Sequence, residues 1–255
     1  MNNRIDDLFK TLAQEEKAAF VAYVCAGDPD ENTCVKILHT LDKAGVDLIE
    51  IGVPFSDPLA DGIVNQMAAG RALEGGANVE QTLDIIRTFR KSSETPIVLF
   101  TYLNPIYAYG FKKFHEDALK AGADGILNLD LPPDEESINN ELSEANKLLN
   151  IRIIAPTTPP ERISKITETG RGFIYYISRE GVTGARTELA EGIGEQVKLI
   201  KGYTSLPVVV GFGISTPEHS AEVAKVADGV VVGSAIVKRI AQHSDASDLC
   251  GKVYD

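Results

Sequence analysis

Three carboxylates stand within the stretch LIEIGVPFSDPLADG, residues 48–62, and the first of them interrupts an apolar run. Glutamate is a poor strand residue and is seldom buried without a partner, so Glu50 between Ile49 and Ile51 needs an explanation. If Glu50 points into a protein interior, desolvation raises the pKa of its carboxyl towards neutrality, where the group can both donate and accept a proton. A structural glutamate, hydrogen-bonded to the backbone or paired with a basic residue, explains the position equally well.

Asp61 is the second candidate for proton chemistry in this stretch. It stands directly before the helix-like segment GIVNQMAAGRAL, and a capping role is the alternative because aspartate is a preferred N-cap residue. Asp57 precedes Pro58, a pair that is typical of a turn. The sequence therefore predicts a pair of carboxylates, Glu50 and Asp61, with a structural alternative for each.

Two glycine-rich segments late in the chain are typical of an anion site. VVVGFGIS at 208–215 and VVVGSAIVK at 230–238 both contain an apolar run followed by glycine, which lets backbone N–H groups approach a ligand closely. GSAIVKRI can open a helix whose N-terminus attracts a phosphate, and Gly184 in GVTGA could add another amide. The alternative is that these glycines only form tight turns.

Large side chains near the predicted strand ends could line a flat apolar pocket beside these groups. They are Tyr23, Phe100, Leu127, Tyr175 and Phe212. Each of them could equally be an ordinary core residue. No lysine lies at a strand end, which disfavours a Schiff-base aldolase, and the four histidines are scattered, which disfavours a metal site. A phosphate ester and two carboxylates are instead typical of a lyase or isomerase that works by proton transfer.

Eight short apolar runs alternate with longer amphipathic segments and are predicted to be strands. They cover 20–26, 46–51, 96–102, 124–131, 151–156, 172–178, 207–212 and 228–233. Between the first two, apolar residues recur every three positions within 31–45, which predicts a helix. Two junctions predict a helix that stops at a glycine before the next strand begins. The glycine is Gly45 in KAGVDLIEIG and Gly122 in KAGADGILNL.

Eight such units without a linker predict a single domain, 1–255, in which parallel strands close into a (β/α)8 TIM barrel. No GxGxxG follows the first strand, which disfavours an open doubly wound sheet. We expect an extra N-terminal helix at 4–15, two helices within 62–93 broken at 74–78, and additional helices after strand eight. The polar loop 178–192 follows strand six, and its glycines predict disorder without a ligand. In such barrels the catalytic groups lie at the C-terminal strand ends, and the loops after strands seven and eight bind phosphate.

The composition disfavours several other classes of protein. The net charge of −12 and the pI near 4.9 argue against a nucleic acid or an anionic membrane surface as partner, because both require a basic face. The longest apolar run, AAFVAYVCA, is far shorter than the roughly 20 residues of a membrane helix. MNNRIDDLFK carries no targeting pattern, and three cysteines without metal-ligand spacing are typical of reduced thiols, so we expect a cytoplasmic protein.

These motifs together resemble one family over essentially the whole chain, the alpha subunits of tryptophan synthase. LIEIGVPFSDPLADG is the most specific of them, and YLNPIYAYG, DLPPDE, RGFIYYISREGVTGAR, GFGIS and GSAIVK follow in the family's order. The resemblance implies a (β/α)8 barrel that cleaves indole-3-glycerol phosphate into indole and glyceraldehyde 3-phosphate for tryptophan biosynthesis. It also implies no cofactor in this chain and a pyridoxal-phosphate-dependent beta subunit as partner, in an αββα heterotetramer through which indole passes from one subunit to the other.

The resemblance also implies roles for particular residues. Glu50 and Asp61 correspond to the family's catalytic carboxylates, with Glu50 expected to carry protons and Asp61 to accept a hydrogen bond from the indole N–H. Tyr175 matches a tyrosine beside the substrate, and Thr183 lies in the loop that closes over the site. The phosphate-binding positions are Gly184, Gly213, Gly233 and Ser234.

The chain departs from the family pattern after Gly62, where Ile63 replaces the usual proline and Asn65 replaces an apolar residue. These changes adjoin the loop that would face the beta subunit, so they bear on coupling between the subunits. Two alternatives to a synthase subunit stay open. One is a free-standing lyase that releases indole, and the other is a non-catalytic barrel that binds a phosphate ligand and regulates a beta subunit.

Overall fold

Eight parallel strands form a closed barrel in which the strands pair in chain order and the last pairs with the first. The computed structural model describes residues 3–135, 137–145, 147–178, 186–211, 213–214, 216–244, 246 and 248–254, with the backbone alone for 186–191. The strands are β1 Ala19–Cys25, β2 Leu48–Gly52, β3 Ile97–Thr101, β4 Gly125–Asn128, β5 Leu149–Ile154, β6 Ile174–Ile177, β7 Val208–Gly211 and β8 Gly229–Val232. The predicted (β/α)8 barrel is confirmed.

The helices lie between the strands in chain order. Among the described residues they are α1 Arg4–Gln14, α2 Glu31–Lys43, α3 Ile63–Glu74, α4 Val79–Phe89, α5 Leu103–Tyr109, α6 Phe111–Ala121, α7 Ser137–Ala145, α8 Pro160–Thr169, α9 Arg186–Lys201, α10 Pro217–Ala224, α11 Ser234–Gln242 and α12 Leu249–Tyr254. The predicted N-terminal helix, the two helices after strand two and the helices after strand eight are all present. None of the helices in the described ranges is long and apolar enough to cross a membrane.

Several boundaries differ from the sequence prediction. Strand β5 begins at Leu149, two residues early, because its register pairs Leu149 with Gly125 of β4. Helix α5 was not predicted, and its Pro105 is tolerated because the first helical turn needs no internal N–H donor. Helix α9 begins at Arg186, inside the predicted loop 178–192, in a segment with good helix formers. Residues 179–185 of that loop lie outside the described residues.

Two predicted helix stops are confirmed by the backbone. Gly45 has a φ of +87° and Gly122 a φ of +98°, so both lie in the left-handed region that residues with a β-carbon seldom adopt. At Gly122 a β-carbon would also crowd the side chain of Arg90. These glycines end α2 and α6 and turn the chain into β2 and β4, which sets where those strands begin.

The barrel interior is packed by alternate residues of the strands. Leu48, Val98 and Val209 are fully buried there. Helix α1 closes the N-terminal end, where the Phe9 ring packs against Phe173 with centroids 5.6 Å apart. Helix α1 therefore covers the barrel interior at the N-terminal ends of the strands.

A buried charge network holds the N-terminal end of the barrel together. The Asp124 carboxylate accepts hydrogen bonds from Arg90 at 2.8 Å, Arg4 at 2.9 Å and the backbone N–H of Ile97 at 2.8 Å. It is 4% exposed, so removal of the carboxylate would leave cationic partners unpaired. This network stabilises the end of the barrel that carries no candidate site.

Candidate active site

A cavity of about 250 Å³ opens at the C-terminal ends of the strands. Eight of the residues predicted for the site line it together: Tyr23, Glu50, Phe100 and Tyr175 on strands, Asp61 after β2, Gly213 after β7, and Gly233 and Ser234 after β8. Barrel closure brings these positions to one place, although they come from six separate parts of the sequence. The cavity therefore combines two carboxylates, aromatic walls and a glycine-rich edge.

Glu50 is fully buried at the base of this cavity. It lies on β2 between Tyr23 of β1 and Val98 of β3. Neither carboxyl oxygen has a hydrogen-bond partner among the described residues, so the structural alternative has no support there. Desolvation raises the pKa of the Glu50 carboxyl from 4.5 to about 8. Near neutral pH the group is mostly protonated and can give up or regain a proton with small cost.

Asp61 has a more polar environment in the same cavity. Gly62, and not Asp61, is the N-cap of α3, so the capping alternative is not supported. The Tyr102 hydroxyl donates a 2.9 Å hydrogen bond to the Asp61 carboxylate. Burial raises the pKa of Asp61, while the hydrogen bond from Tyr102 opposes that rise. The N-terminus of α3 also favours negative charge at this position. Two carboxylates in such different surroundings can take different roles in one reaction.

Two tyrosines line the cavity, and a glycine on the adjacent strand makes room for each. Tyr23 leans over Gly52, and Tyr175 leans over Gly211, so that a β-carbon on either glycine would overlap the tyrosine hydroxyl. Tyr23 also contacts Phe100 edge to face, with centroids 5.2 Å apart. Burial is the main cause that raises the pKa of both tyrosines well above 10.0, so both hydroxyls stay neutral. The walls therefore present aromatic faces suited to a planar apolar group.

The glycine-rich edge of the cavity includes the N-terminus of helix α11. Gly233 is the N-cap of α11 and makes no side-chain capping bond, and Ser234 is the first residue of that helix. The first N–H groups of a helix have no internal partners and attract anions. Gly213, with a φ of +81°, turns the chain after β7 towards the same edge. This arrangement fits a phosphate group.

The other predicted site residues are not brought to the cavity by the described structure. Leu127 is fully buried inside the barrel, in the same apolar cluster as Phe100, and it is not among the residues that line the cavity. Thr183, Gly184 and Phe212 lie outside the described residues.

Sequence reasoning missed part of the site. Ile63, Val64 and Asn65 line the cavity from the first turn of α3. Tyr102, which bonds Asp61, was noted only within a motif, since nothing in the sequence shows which carboxylate it reaches. A glycine at the last position of β2, Gly52, was the available signal for a close approach by a neighbouring side chain. No three His, Cys, Asp or Glu side chains among the described residues are grouped to hold a metal.

Comparison with known proteins relates nearly the whole chain to one protein family. The family model "Tryptophan synthase alpha chain" matches residues 9–252. The tryptophan synthase alpha chain of Opitutus terrae is 48% identical over 94% of this chain and 91% of the relative, and that of Geotalea daltonii is 46% identical over the same shares. The crystal structure of tryptophan synthase subunit alpha from Legionella pneumophila is 38% identical, covers 100% of this chain and 95% of its own, and superposes with a TM-score of 0.92. A structure of Mycobacterium tuberculosis tryptophan synthase is 35% identical, covers 100% and 98%, and has a TM-score of 0.88.

Proposed function

This chain belongs to the tryptophan synthase alpha chain family, whose reaction is the cleavage of indole-3-glycerol phosphate, and we propose how its own residues perform that reaction. The chain is accordingly a carbon–carbon lyase of tryptophan biosynthesis, and we assign the activity to one domain, 1–255. The observation that carries the mechanism is Glu50, a buried carboxyl without a partner among the described residues, in one cavity with the hydrogen-bonded Asp61.

Glu50 moves the protons. Its protonated carboxyl gives a proton to C3 of the indole ring, which makes the ring an electron sink. The resulting carboxylate takes the proton from the adjacent glycerol hydroxyl. The bond between C3 and the glycerol chain then breaks, its electron pair returns to the ring, and an aldehyde forms on the other fragment. Indole and glyceraldehyde 3-phosphate leave, and Glu50 is protonated again as it began. A positioned acid–base group of this kind is worth about 10²–10⁴ in rate.

Asp61 stabilises the positive charge that develops on the ring when C3 is protonated. As a carboxylate it accepts a hydrogen bond from the indole N–H, and the bond strengthens as that nitrogen becomes positive. Tyr102 orients Asp61 through its 2.9 Å hydrogen bond, and the backbone N–H of Ala60 donates to the Tyr102 hydroxyl at 3.0 Å. Asp61 is thereby held in place before the substrate arrives.

The aromatic walls and the glycine edge bind the two ends of the substrate. Tyr23, Phe100 and Tyr175 contact the indole ring, while the phosphate lies against the N-terminus of α11. The proposed phosphate contacts are Gly184, Gly213, Gly233 and Ser234, and Thr183 and Phe212 are proposed as further pocket residues. Leu127 is not proposed as a contact, because it lies inside the barrel in the same apolar cluster as Phe100. Alpha chains of this family have no cofactor of their own, and we assign pyridoxal phosphate to the partner beta subunit alone.

The partnership with a beta subunit has support in the surface around the cavity. Large apolar side chains are exposed there: Leu59 is 93% and Ile63 68% exposed, and Met67 and Tyr107 are also exposed. An apolar patch of this kind is typical of a protein–protein contact. We propose that a beta subunit covers it in an αββα heterotetramer and receives indole through a tunnel. The free thiols of Cys25, Cys34 and Cys250 support a cytoplasmic location.

A product assay tests this proposal. The chain is incubated with indole-3-glycerol phosphate, with and without a cognate beta subunit, and glyceraldehyde 3-phosphate is measured. We expect cleavage that rises strongly when the beta subunit is added. Full activity without a partner would identify a free-standing lyase. Tight ligand binding and partner activation without cleavage would identify a non-catalytic regulatory barrel.

A further inference from the structure

Helix α3 forms one edge of the cavity, yet it packs on the barrel through small side chains. Its first turn, residues 63–65, lines the cavity, and Asp61 lies just before it. Its three buried residues are the alanines Ala68, Ala69 and Ala72. Helix α4, by contrast, buries leucine, isoleucine and phenylalanine side chains. Alanine methyl groups form only low ridges on a helix, so apolar packing restrains the sliding of α3 along its axis weakly.

A buried ion pair fixes the other end of α3 to the barrel. Arg71, in the last turn of the helix, donates from Nε to Oδ1 of Asp28 at 2.9 Å and from Nη2 to Oδ2 at 2.8 Å. Asp28 lies on the turn that follows β1, and its side chain is 2% exposed. Two parallel bonds from a planar guanidinium fix orientation as well as distance. The pair therefore supplies the restraint that the alanines lack.

The same turn also contacts the chain beyond α3. Gly27 has a φ of +79°, and a β-carbon on it would lie 2.9 Å from Cβ of Ala77, which follows the helix. Glu31, at the start of α2, accepts a 3.0 Å hydrogen bond from Nε2 of Gln81 in α4. Strand β1, which precedes this turn, carries Tyr23 of the cavity. The end of α3 is thus fixed to a strand that itself forms part of the site.

The first turn of α3 transmits the position of the helix to Asp61. Nε2 of Gln66 donates a 2.8 Å hydrogen bond to the backbone carbonyl of Asp61, and the backbone N–H of Gln66 donates to the carbonyl of Gly62 at 3.0 Å. Arg71 lies about 12 Å along the axis from the first residue of the helix. Because a hydrogen-bonded helix is stiff over this length, a displacement at Arg71 also moves the end that adjoins Asp61.

We propose that Asp28 and Arg71 are positioning residues, whose ion pair sets the position of α3 along its axis and thereby the position of the Asp61 carboxylate in the cavity. They act through the helix and not by contact with the substrate. The contribution of Asp61 to cleavage rests on the proposed function, whereas the effect of the ion pair on the position of α3 does not.

Substitution by lysine separates this role from general support of the fold. Arg71→Lys keeps a positive charge beside Asp28 but removes the pair of parallel bonds, so the buried carboxylate retains a cationic partner. Arg90→Lys is the matched control, because Arg90 pairs with the buried Asp124 at the closed end of the barrel. Thermal unfolding and backbone ¹⁵N–¹H NMR are recorded on the full chain, and kcat and KM are measured with the cognate beta subunit.

We expect the kcat of Arg71→Lys to fall by about three- to ten-fold with little change in KM, because Asp61 acts on charge that develops only in the transition state. The amide signals of residues 61–66 should shift in the same variant. Arg90→Lys should lose thermal stability and still match the wild type in kcat and in these signals. In an Asp61→Ala background, Arg71→Lys should lower kcat by less than about two-fold more, because two changes that act through one group are not additive.

Unchanged amide signals for residues 61–66 in Arg71→Lys overturn the inference, whatever the activity, since the ion pair then only supports the fold. An equal loss of kcat from Arg71→Lys with and without Asp61 also overturns it. If Arg71→Lys does not fold, the double variant Asp28→Asn/Arg71→Gln, which removes both charges together, is tested against the same criteria. If the wild type cleaves no substrate, the proposed function fails, and the amide signals still decide the role of the ion pair.

Discussion

Glu50→Gln should make the protein more stable at alkaline pH while it nearly abolishes turnover. The substitution keeps the shape of the side chain and removes its ionisable proton. In the wild type the native Glu50 carboxyl has a raised pKa, so the native state holds a proton that the unfolded state has already lost. The stability contributed by that proton is fully present below the unfolded pKa and is lost as pH rises through the native value.

The size of the effect follows from the difference between the ordinary pKa of a glutamate, 4.5, and the native pKa of Glu50, about 8. These two values bound the pH window in which stability is lost. Across it, each pH unit lowers the free energy of unfolding of the wild type by about 1.4 kcal/mol. The accumulated loss approaches roughly 5 kcal/mol at the upper end. Since glutamine does not titrate, the difference between the variant and the wild type grows from nearly nothing at pH 4 to a few kcal/mol at pH 9.

Urea denaturation at a series of pH values measures this difference. Glu74→Gln, at an exposed glutamate of α3, makes the same chemical change outside the cavity and should follow the wild-type curve. In the same preparations Glu50→Gln should lose about 10²–10⁴ in glyceraldehyde 3-phosphate release and still bind the substrate. Parallel stability curves for Glu50→Gln and the wild type would show that Glu50 has no raised pKa. Near-normal turnover in that variant would refute its role as the proton carrier.

Further predictions concern pH, the cavity walls and the closed end of the barrel. The value of kcat/KM should fall by about ten-fold per unit above pH 8, because Glu50 of the free enzyme must enter the reaction protonated, and a profile of kcat/KM over pH 6–10 checks this. Gly211→Ala should displace the Tyr175 ring and raise KM, whereas Gly70→Ala, in open space within α3, should leave KM unchanged and slightly stabilise the helix. Asp124→Asn should lower the free energy of unfolding by about 3 kcal/mol, because it leaves two arginines without their carboxylate, while kcat measured on the folded protein stays at the wild-type value.

The fold was largely predictable from local patterns. The eight strands were recognised because each is a short apolar run between turn residues, and stops at Gly45 and Gly122 were recognised because only glycine suits the left-handed backbone there. Errors arose where pairing between distant residues sets a boundary. The start of β5 depends on its register with β4, which periodicity does not contain. Helix α5 was missed because its short segment carries no apolar period of useful length.

The candidate site was also predictable only in part from the sequence. Sequence alone identified Glu50, Asp61 and the glycine edge as chemically unusual, because a carboxylate in an apolar run and a glycine after a strand are local anomalies. It left Glu50 equally open to a structural role, since a sequence does not show which atoms meet a side chain after folding. Tyr102, 41 residues from Asp61, became its hydrogen-bond partner only when neighbouring strands brought their ends together.

The sequence by itself determined which residues carry acid–base and anion-binding groups, how many strands support them and which family the motifs resemble, because these properties depend on residue type and spacing. Only the tertiary structure decided that Glu50 is fully buried with a pKa of about 8 and that Asp61 is hydrogen-bonded to Tyr102. Desolvation and hydrogen bonding are consequences of what surrounds an atom in space, and those surroundings exist only after the barrel has closed.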